Sequence, residues 1–142
     1  MHVVLSRQTH QLRWLDEEKT ILQLDIHPGW TWDDGQKVLE QINLQIGWVE
    51  HDVYMVYNFS YKAQILSRNL SLSNLKSYLE KDMPNERQIY IIGADPILAT
   101  LIRTLAGLYS YITENAGKVR FMDSVEDAYA HISDMKADLV TP

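Results

Sequence analysis

The strongest constraint on the fold is a regular alternation of strand-like and helix-like segments that begins at Ile21. Runs rich in β-branched and aromatic residues predict four strands, Ile21–Ile26, Val53–Phe59, Gln88–Ile92 and Val119–Met122. Such an alternation predicts an α/β domain with a mainly parallel sheet, right-handed crossovers and helices on both faces. The sheet strands, Val53-Tyr54-Met55-Val56-Tyr57 in particular, are too uniformly apolar to leave one face of the sheet in water.

Apolar residues at helical spacing predict four helices, each with a boundary signal. The first has Thr31 or Asp33 as its N-cap, and Gly47 ends it. The other three lie around Leu72–Leu79, from Asp95-Pro96 to Leu108, and from Ser124 to Ile132.

The sequence of the N-terminal part predicts one more strand, Leu12–Leu15, which would be the antiparallel edge of a sheet of four or five strands. A charged turn, Asp16-Glu17-Glu18-Lys19, joins this strand to Ile21–Ile26. Residues 1–10 are predicted to form a loose leader. Because no repeat, low-complexity tract or Pro/Gly-rich linker divides the 142 residues, we expect residues 1–142 to form a single domain.

Composition and charge exclude several classes of function. The chain has no cysteine, which removes disulfides, thiolate nucleophiles and thiolate zinc sites and suits a reducing cytoplasm. A net charge of -6 disfavours binding to nucleic acids and to anionic membrane surfaces. The longest nearly apolar stretch, Ile97 to Leu108, contains Arg103 and is too short to span a membrane.

The sequence carries no recognisable motif for catalysis or metal binding. The five histidines stand at positions 2, 10, 27, 51 and 131, without a partner at metal-ligand spacing, and no nucleophile elbow or nucleotide-binding glycine loop occurs. Gly93 precedes a predicted helix start, but Asp95 places negative charge where a phosphate would bind. We therefore expect a protein that is not an enzyme and that uses no cofactor or metal.

Aromatic residues are the most distinctive side chains. Trp30 and Trp32 flank Thr31 at the first helix entry, and we expect one of them to pack on the sheet and the other to serve as a contact residue. Eight tyrosines accompany only two phenylalanines. Those on predicted strands are expected in the core, namely Tyr54, Tyr57 and Tyr90.

Three strand–loop–helix stretches resemble the STAS-like family of bacterial proteins, whose fold is called SpoIIAA-like. They are Ile21–Glu40 (ILQLDIHPGWTWDDGQKVLE), Gln88–Leu105 (QIYIIGADPILATLIRTL) and Val119–Ile132 (VRFMDSVEDAYAHI). By element order the resemblance covers about four-fifths of the chain. It implies a STAS/SpoIIAA-like domain, and the best-known members of that family are the sporulation anti-anti-sigma factors. The same fold occurs in the CRAL-TRIO lipid-binding domains.

The sequence departs from the family where the family is phosphorylated. Phosphoswitch members carry D-x-S after the central strand and D-S-S-G at the next helix start, whereas here Asn58-Phe59-Ser60 and Leu66-Ser67-Arg68-Asn69 stand in those places. The phosphorylation switch is therefore not carried over to this chain. The resemblance still implies a partner- or ligand-binding surface after the central strand, formed by Asn58, Ser60, Tyr61, Ser67 and Arg68.

Two functions remain open on the sequence alone. A regulatory or sensing domain would bind a protein partner through the segment 58–69 and the adjacent helix. A binder of a small apolar or amphipathic ligand, as in the CRAL-TRIO relatives, would need a pocket lined by Trp30, Trp32, Ile65 and Leu66. A chain of this length has little volume to spare for such a pocket, so the first function ranks higher. The oligomeric state is not fixed by the sequence, which is compatible with a homodimer.

Overall fold

Six strands form one mixed sheet in which the spatial order follows the chain order, β1-β2-β3-β4-β5-β6. The computed structural model describes residues 2–27, 29, 31–59, 85–93 and 119–140. The strands are β1 His2–Ser6, β2 His10–Trp14, β3 Ile21–Ile26, β4 Val53–Asn58, β5 Glu86–Ile92 and β6 Val119–Met122. Pairs β1·β2 and β2·β3 are antiparallel, and β3, β4, β5 and β6 are parallel to one another. The predicted α/β class and the mainly parallel sheet are confirmed.

The N-terminal part differs from the prediction. Residues 2–6, expected to belong to a loose leader, form β1, so β2 lies inside the sheet and the strand count is six. A bulge between Val3 and Leu5 interrupts the regular alternation of β1. Consecutive residues Val4 and Leu5 consequently both pack against the core, which explains why this short segment is ordered as a strand.

Helix α1 spans Trp32–Trp48, and Thr31 is its N-cap. The Thr31 hydroxyl accepts from the Asp34 N–H at 3.2 Å, and the Asp34 carboxylate accepts from the Thr31 N–H at 3.1 Å, which makes a capping box. The helix continues one residue past Gly47, where it was predicted to end. In its last turn the Ile46 oxygen accepts from Asn85 Nδ2 at 2.8 Å and from the Val49 N–H at 3.3 Å.

Helix α2 spans Val125–Val140 and begins as predicted after Ser124. The Ser124 hydroxyl accepts from the Asp127 N–H at 3.1 Å. The helix runs eight residues beyond Ile132, the last residue of its predicted apolar face. The second and third predicted helices fall in 60–84 and 94–118, outside the described residues.

Each face of the sheet is covered by one of these helices. On one face Val38, Ile42 and Ile46 of α1 pack on apolar residues of β2 to β5. On the other face Ala128 and Ile132 of α2 pack on residues of β4 and β5. The core positions predicted for three tyrosines are confirmed, since the exposed fraction is 1% for Tyr54, 8% for Tyr57 and 0% for Tyr90. Within the described residues, no helix has the length and apolar character needed to cross a membrane.

Candidate functional site

A buried polar cluster lies on the α2 side of the sheet, where β2, β3 and β4 run side by side. We call it the Asp25 cluster, and its members are Arg13, Gln23, Asp25, Asn58 and Tyr129. Arg13 stands opposite Gln23 in the β2·β3 register, and Asp25 stands opposite Asn58 in the β3·β4 register. Because side chains alternate along a strand, these four residues share one face of the sheet.

Asp25 is the centre of the cluster. Its Oδ1 accepts from Gln23 Nε2 and from Asn58 Nδ2, each at 2.8 Å. Its Oδ2 lies 3.1 Å from the Arg13 guanidinium, and only 7% of the Asp25 side chain is exposed. A carboxylate offers about four acceptor positions, of which these contacts use three. One cation and two amides therefore compensate the burial of this charge, which would otherwise be costly.

Helix α2 is tied to the cluster by Tyr129. Its hydroxyl donates to Gln23 Oε1, so Gln23 bridges the helix to Asp25. Burial raises the pKa of Tyr129, and the charges of Asp25 and Glu126 add to that rise, while Arg13 and the bond to Gln23 oppose it. The hydroxyl therefore stays protonated at neutral pH and remains a donor.

Two further contacts hold α2 across the sheet. The Tyr90 hydroxyl lies 2.7 Å from His131 Nδ1, and burial, with a smaller contribution from Tyr54, raises the pKa of Tyr90 to about 12 although Arg120 opposes the shift. At the far end of the helix, Lys136 Nζ donates to the Thr20 hydroxyl at 2.5 Å. Polar contacts from Tyr129 to Lys136 thus orient α2 on the sheet.

Lys136 belongs to a second polar group, at the turn between β2 and β3. It lies 3.8 Å from Asp16, whose other oxygen accepts from the N–H groups of Thr20 and Ile21 at 2.9 and 3.0 Å. Burial opposes ionisation of Asp16, but the Thr20 hydroxyl, the two N–H groups and Lys136 together hold its pKa below the usual value. These contacts fix the turn and the end of α2 against each other.

The α1 side carries a buried histidine near the start of the helix. His10 is 4% exposed, and its Nδ1 lies 2.9 Å from the Thr9 hydroxyl. The same hydroxyl donates to Asp34 at 3.4 Å, which connects β2 to the capping box of α1. Burial lowers the pKa of His10, Arg7 and His27 add to that effect, and Asp34 opposes it.

Asn58 is the one predicted binding residue whose side chain is described. It is buried, with 6% exposed, and its amide donates to Asp25 at the carboxyl end of β4. Trp32 begins α1, but its side chain lies outside the described residues. The remaining predicted site residues lie entirely outside the described residues; they are Trp30, Ser60, Tyr61, Ser67 and Arg68.

Most of the Asp25 cluster was not predicted from the sequence. Gln23 and Asp25 alternate with the apolar residues Leu22, Leu24 and Ile26, a spacing of two that places both polar side chains on one face. Sequence reasoning overlooked this alternation. In the part of the chain that the structure describes, no group of three or more His, Asp or Glu side chains could hold a metal ion.

Comparisons of the chain with protein-family models, with curated proteins and with solved structures found no match. The resemblance to the STAS-like family therefore rests on the three stretches quoted above.

Proposed function

We propose that this chain is a non-catalytic regulatory or sensing domain of the STAS type, which acts through protein–protein contact at the carboxyl ends of β3 and β4. The observation that carries the proposal is the fixed position of Asn58, where the segment 58–69 begins. Its amide is held by Asp25 at 2.8 Å, and the next N–H, that of Phe59, donates to the Ile92 oxygen at 2.7 Å.

The carboxyl ends of the parallel strands are a favourable place for a binding surface. In parallel sheets the loops that follow the strands diverge at the carboxyl ends, where ligands and partners bind. Contact residues on a loop act best when a rigid scaffold positions the loop. A buried hydrogen-bonded network such as the Asp25 cluster supplies that rigidity.

The chemistry of the cluster favours binding over catalysis. A general base must reach a proton of its substrate, but Asp25 is buried and accepts from Gln23 and Asn58 while pairing with Arg13. The charged and amide groups of the cluster thus engage one another. Their role in the proposed function is to hold the start of the contact segment.

The same geometry offers a reason for the departure from the family pattern at position 58. An amide at this position donates a hydrogen bond to Asp25, whereas the ionised carboxylate of the phosphoswitch members would face it as a second negative charge. Asn58 is therefore consistent with a domain that acts without a phosphorylation switch.

Site-specific photo-crosslinking in cells tests the proposal. A photoreactive amino acid replaces Tyr61 or Arg68, and a matched variant carries it at Lys37, which is exposed on α1. We expect the same protein adduct from positions 61 and 68, identified by mass spectrometry, and none from position 37. Adding Asp25→Asn, which removes the charge that Arg13 pairs with, should reduce the adduct yield.

Two outcomes would contradict this function. Adducts from Lys37 without any from 61 or 68 would place the contact surface on α1. A co-purifying amphipathic small molecule in native mass spectra, combined with no protein adduct at 61 or 68, would favour the ligand-binding alternative.

A further inference from the structure

Strand β1 is the last strand on its side of the described sheet, and three of its five residues are exposed. It pairs on one side with β2, and within the described residues no strand pairs with its other side. His2, Val3 and Ser6 are exposed, and Val3 retains 45% of its accessible surface. A strand in this position presents a row of backbone N–H and C=O groups that another extended strand can pair with.

The two edges of the described sheet differ in how they are protected against such pairing. Proteins usually shield an edge by making the strand short and by placing a charge or a proline on it. Strand β6 has four residues and carries the exposed Arg120. Strand β1 has five residues with no Lys, Arg, Asp, Glu or Pro, and its one irregularity is the bulge between Val3 and Leu5. The β1 edge is therefore the one suited to pairing.

We propose that β1 pairs with β1 of a second copy of this chain, antiparallel around a two-fold axis. The two six-stranded sheets then join into one continuous sheet. A two-fold axis brings two copies of the same five-residue strand together, so a charge on this strand would lie close to the same charge on the other copy. The absence of charge from β1 fits a second copy, because β1 offers nothing that would select a charged partner strand.

Charges beside the strand complement each other in this arrangement. Antiparallel pairing brings Arg7, which follows β1, next to the start of β1 in the other copy. There His2 stands opposite Trp14, and the turn that follows Trp14 carries the exposed Glu17 and Glu18. The two-fold axis repeats this contact, so each guanidinium approaches the acidic turn of the other copy.

Sedimentation equilibrium on the full chain tests the proposal. The expected mass rises from 16.5 kDa towards twice that value with increasing concentration. Val3→Lys should raise the dimer dissociation constant more than about tenfold, because it adds one ammonium group from each copy at the same edge, close enough to repel each other. The matched control is Leu44→Lys, since Leu44 on α1 has 46% exposure against 45% for Val3 and gains the same charge away from β1. It should leave the constant unchanged.

Charge reversal provides an independent variant outside the strand. Arg7→Glu should weaken the dimer, and Arg7→Glu combined with Glu17→Arg and Glu18→Arg should restore it. A chain that stays monomeric up to about 100 µM overturns the proposal. So does a dimer that tolerates Val3→Lys, or one that Leu44→Lys weakens equally. Far-ultraviolet circular dichroism confirms that each variant keeps the parent fold.

Discussion

Replacing Asn58 with aspartate perturbs the centre of the Asp25 cluster with almost no change in side-chain shape. The substitution removes the donor that lies 2.8 Å from Asp25 Oδ1 and puts an acceptor oxygen in its place. At neutral pH two carboxylates then share a buried site that contains one guanidinium, that of Arg13. Either they repel each other, or one of them binds a proton.

Protonation of the introduced carboxyl limits the stability that Asn58→Asp can lose. Losing a hydrogen bond to a charged acceptor costs about 1.5–3 kcal/mol. Repulsion between charges about 4 Å apart adds about 4 kcal/mol at an effective dielectric constant near 20. Protonating the introduced carboxyl restores a donor to Asp25, and at pH 7 this costs about 4 kcal/mol for a group whose ordinary pKa is about 3.9. The free energy of unfolding should therefore fall by about 3–4 kcal/mol at pH 7, a large part of the about 5–15 kcal/mol typical of a domain.

The loss should depend on pH with a definite sign. A neighbouring negative charge and burial raise the folded-state pKa of the introduced carboxyl above its value in the unfolded chain. Its interaction with Asp25 is then fully present below about pH 4, and it is lost as the pH rises towards the folded pKa. The difference in unfolding free energy between parent and variant should grow by about 1.4 kcal/mol per pH unit over that window.

Urea unfolding, followed by tryptophan fluorescence at a series of pH values, measures this difference. Asn58→Ala is the control, because it removes the same donor without adding a charge and should give a loss that is nearly independent of pH. If Asn58→Asp and Asn58→Ala show parallel profiles between about pH 4 and pH 7, the contact between positions 25 and 58 is not the one described here.

Three further substitutions test other contacts. Burial opposes ionisation of Asp16, but the Thr20 hydroxyl and its other partners hold the pKa of Asp16 below its usual value. The ionised carboxylate therefore contributes stability that is present above the unfolded pKa near 3.8 and is lost in acid. Asp16→Asn should therefore differ most from the parent at neutral pH, and a difference that persists in strong acid would contradict this. Burial lowers the pKa of His10, so the parent should lose stability as the pH falls below 6.5, and His10→Gln should flatten that limb of the urea-derived profile. Asn85→Ala should cost about 1–3 kcal/mol by removing the 2.8 Å donor to the Ile46 oxygen, which keeps only the longer bond from the Val49 N–H at 3.3 Å, and an unchanged urea midpoint would refute the capping role.

The strands predicted correctly are those that can be recognised from the apolar character of their own residues. Strands β3 and β6 have the predicted bounds, and β4 is shorter than predicted by one residue. Continuous apolar runs arise because helices cover both faces of the sheet, so each such strand is recognisable by itself. Strand β1 was missed because it is stabilised by contacts that its own sequence does not reveal. These are its pairing with β2 and the bulge that lets both Val4 and Leu5 pack against the core.

The candidate site was less predictable, since it depends on how the elements are arranged in space. Asn58 was singled out through a family resemblance, and its position after the central strand could be read from the sequence. Its partner Asp25 lies 33 residues earlier, and the bond between Tyr129 and Gln23 joins residues 106 positions apart. No local pattern reports such pairs. What the sequence does carry is the alternation of polar and apolar residues in β3, which marks a polar strip on one face.

This polar strip gives the Asp25 cluster a role in the register of the sheet. The apolar part of β4 is buried on both faces, so sliding it by one residue would still place apolar side chains on each side. Hydrophobic alternation therefore fixes the position of β4 against β3 only weakly. The pairing of Asp25 with Asn58 has no equivalent in a slipped register, because a slip turns one of these side chains towards the apolar α1 face, where it loses its partner. A buried polar side chain that loses a hydrogen-bond partner is disfavoured, so the polar contact selects one register. In doing so it also fixes where β4 ends and where the proposed contact segment begins.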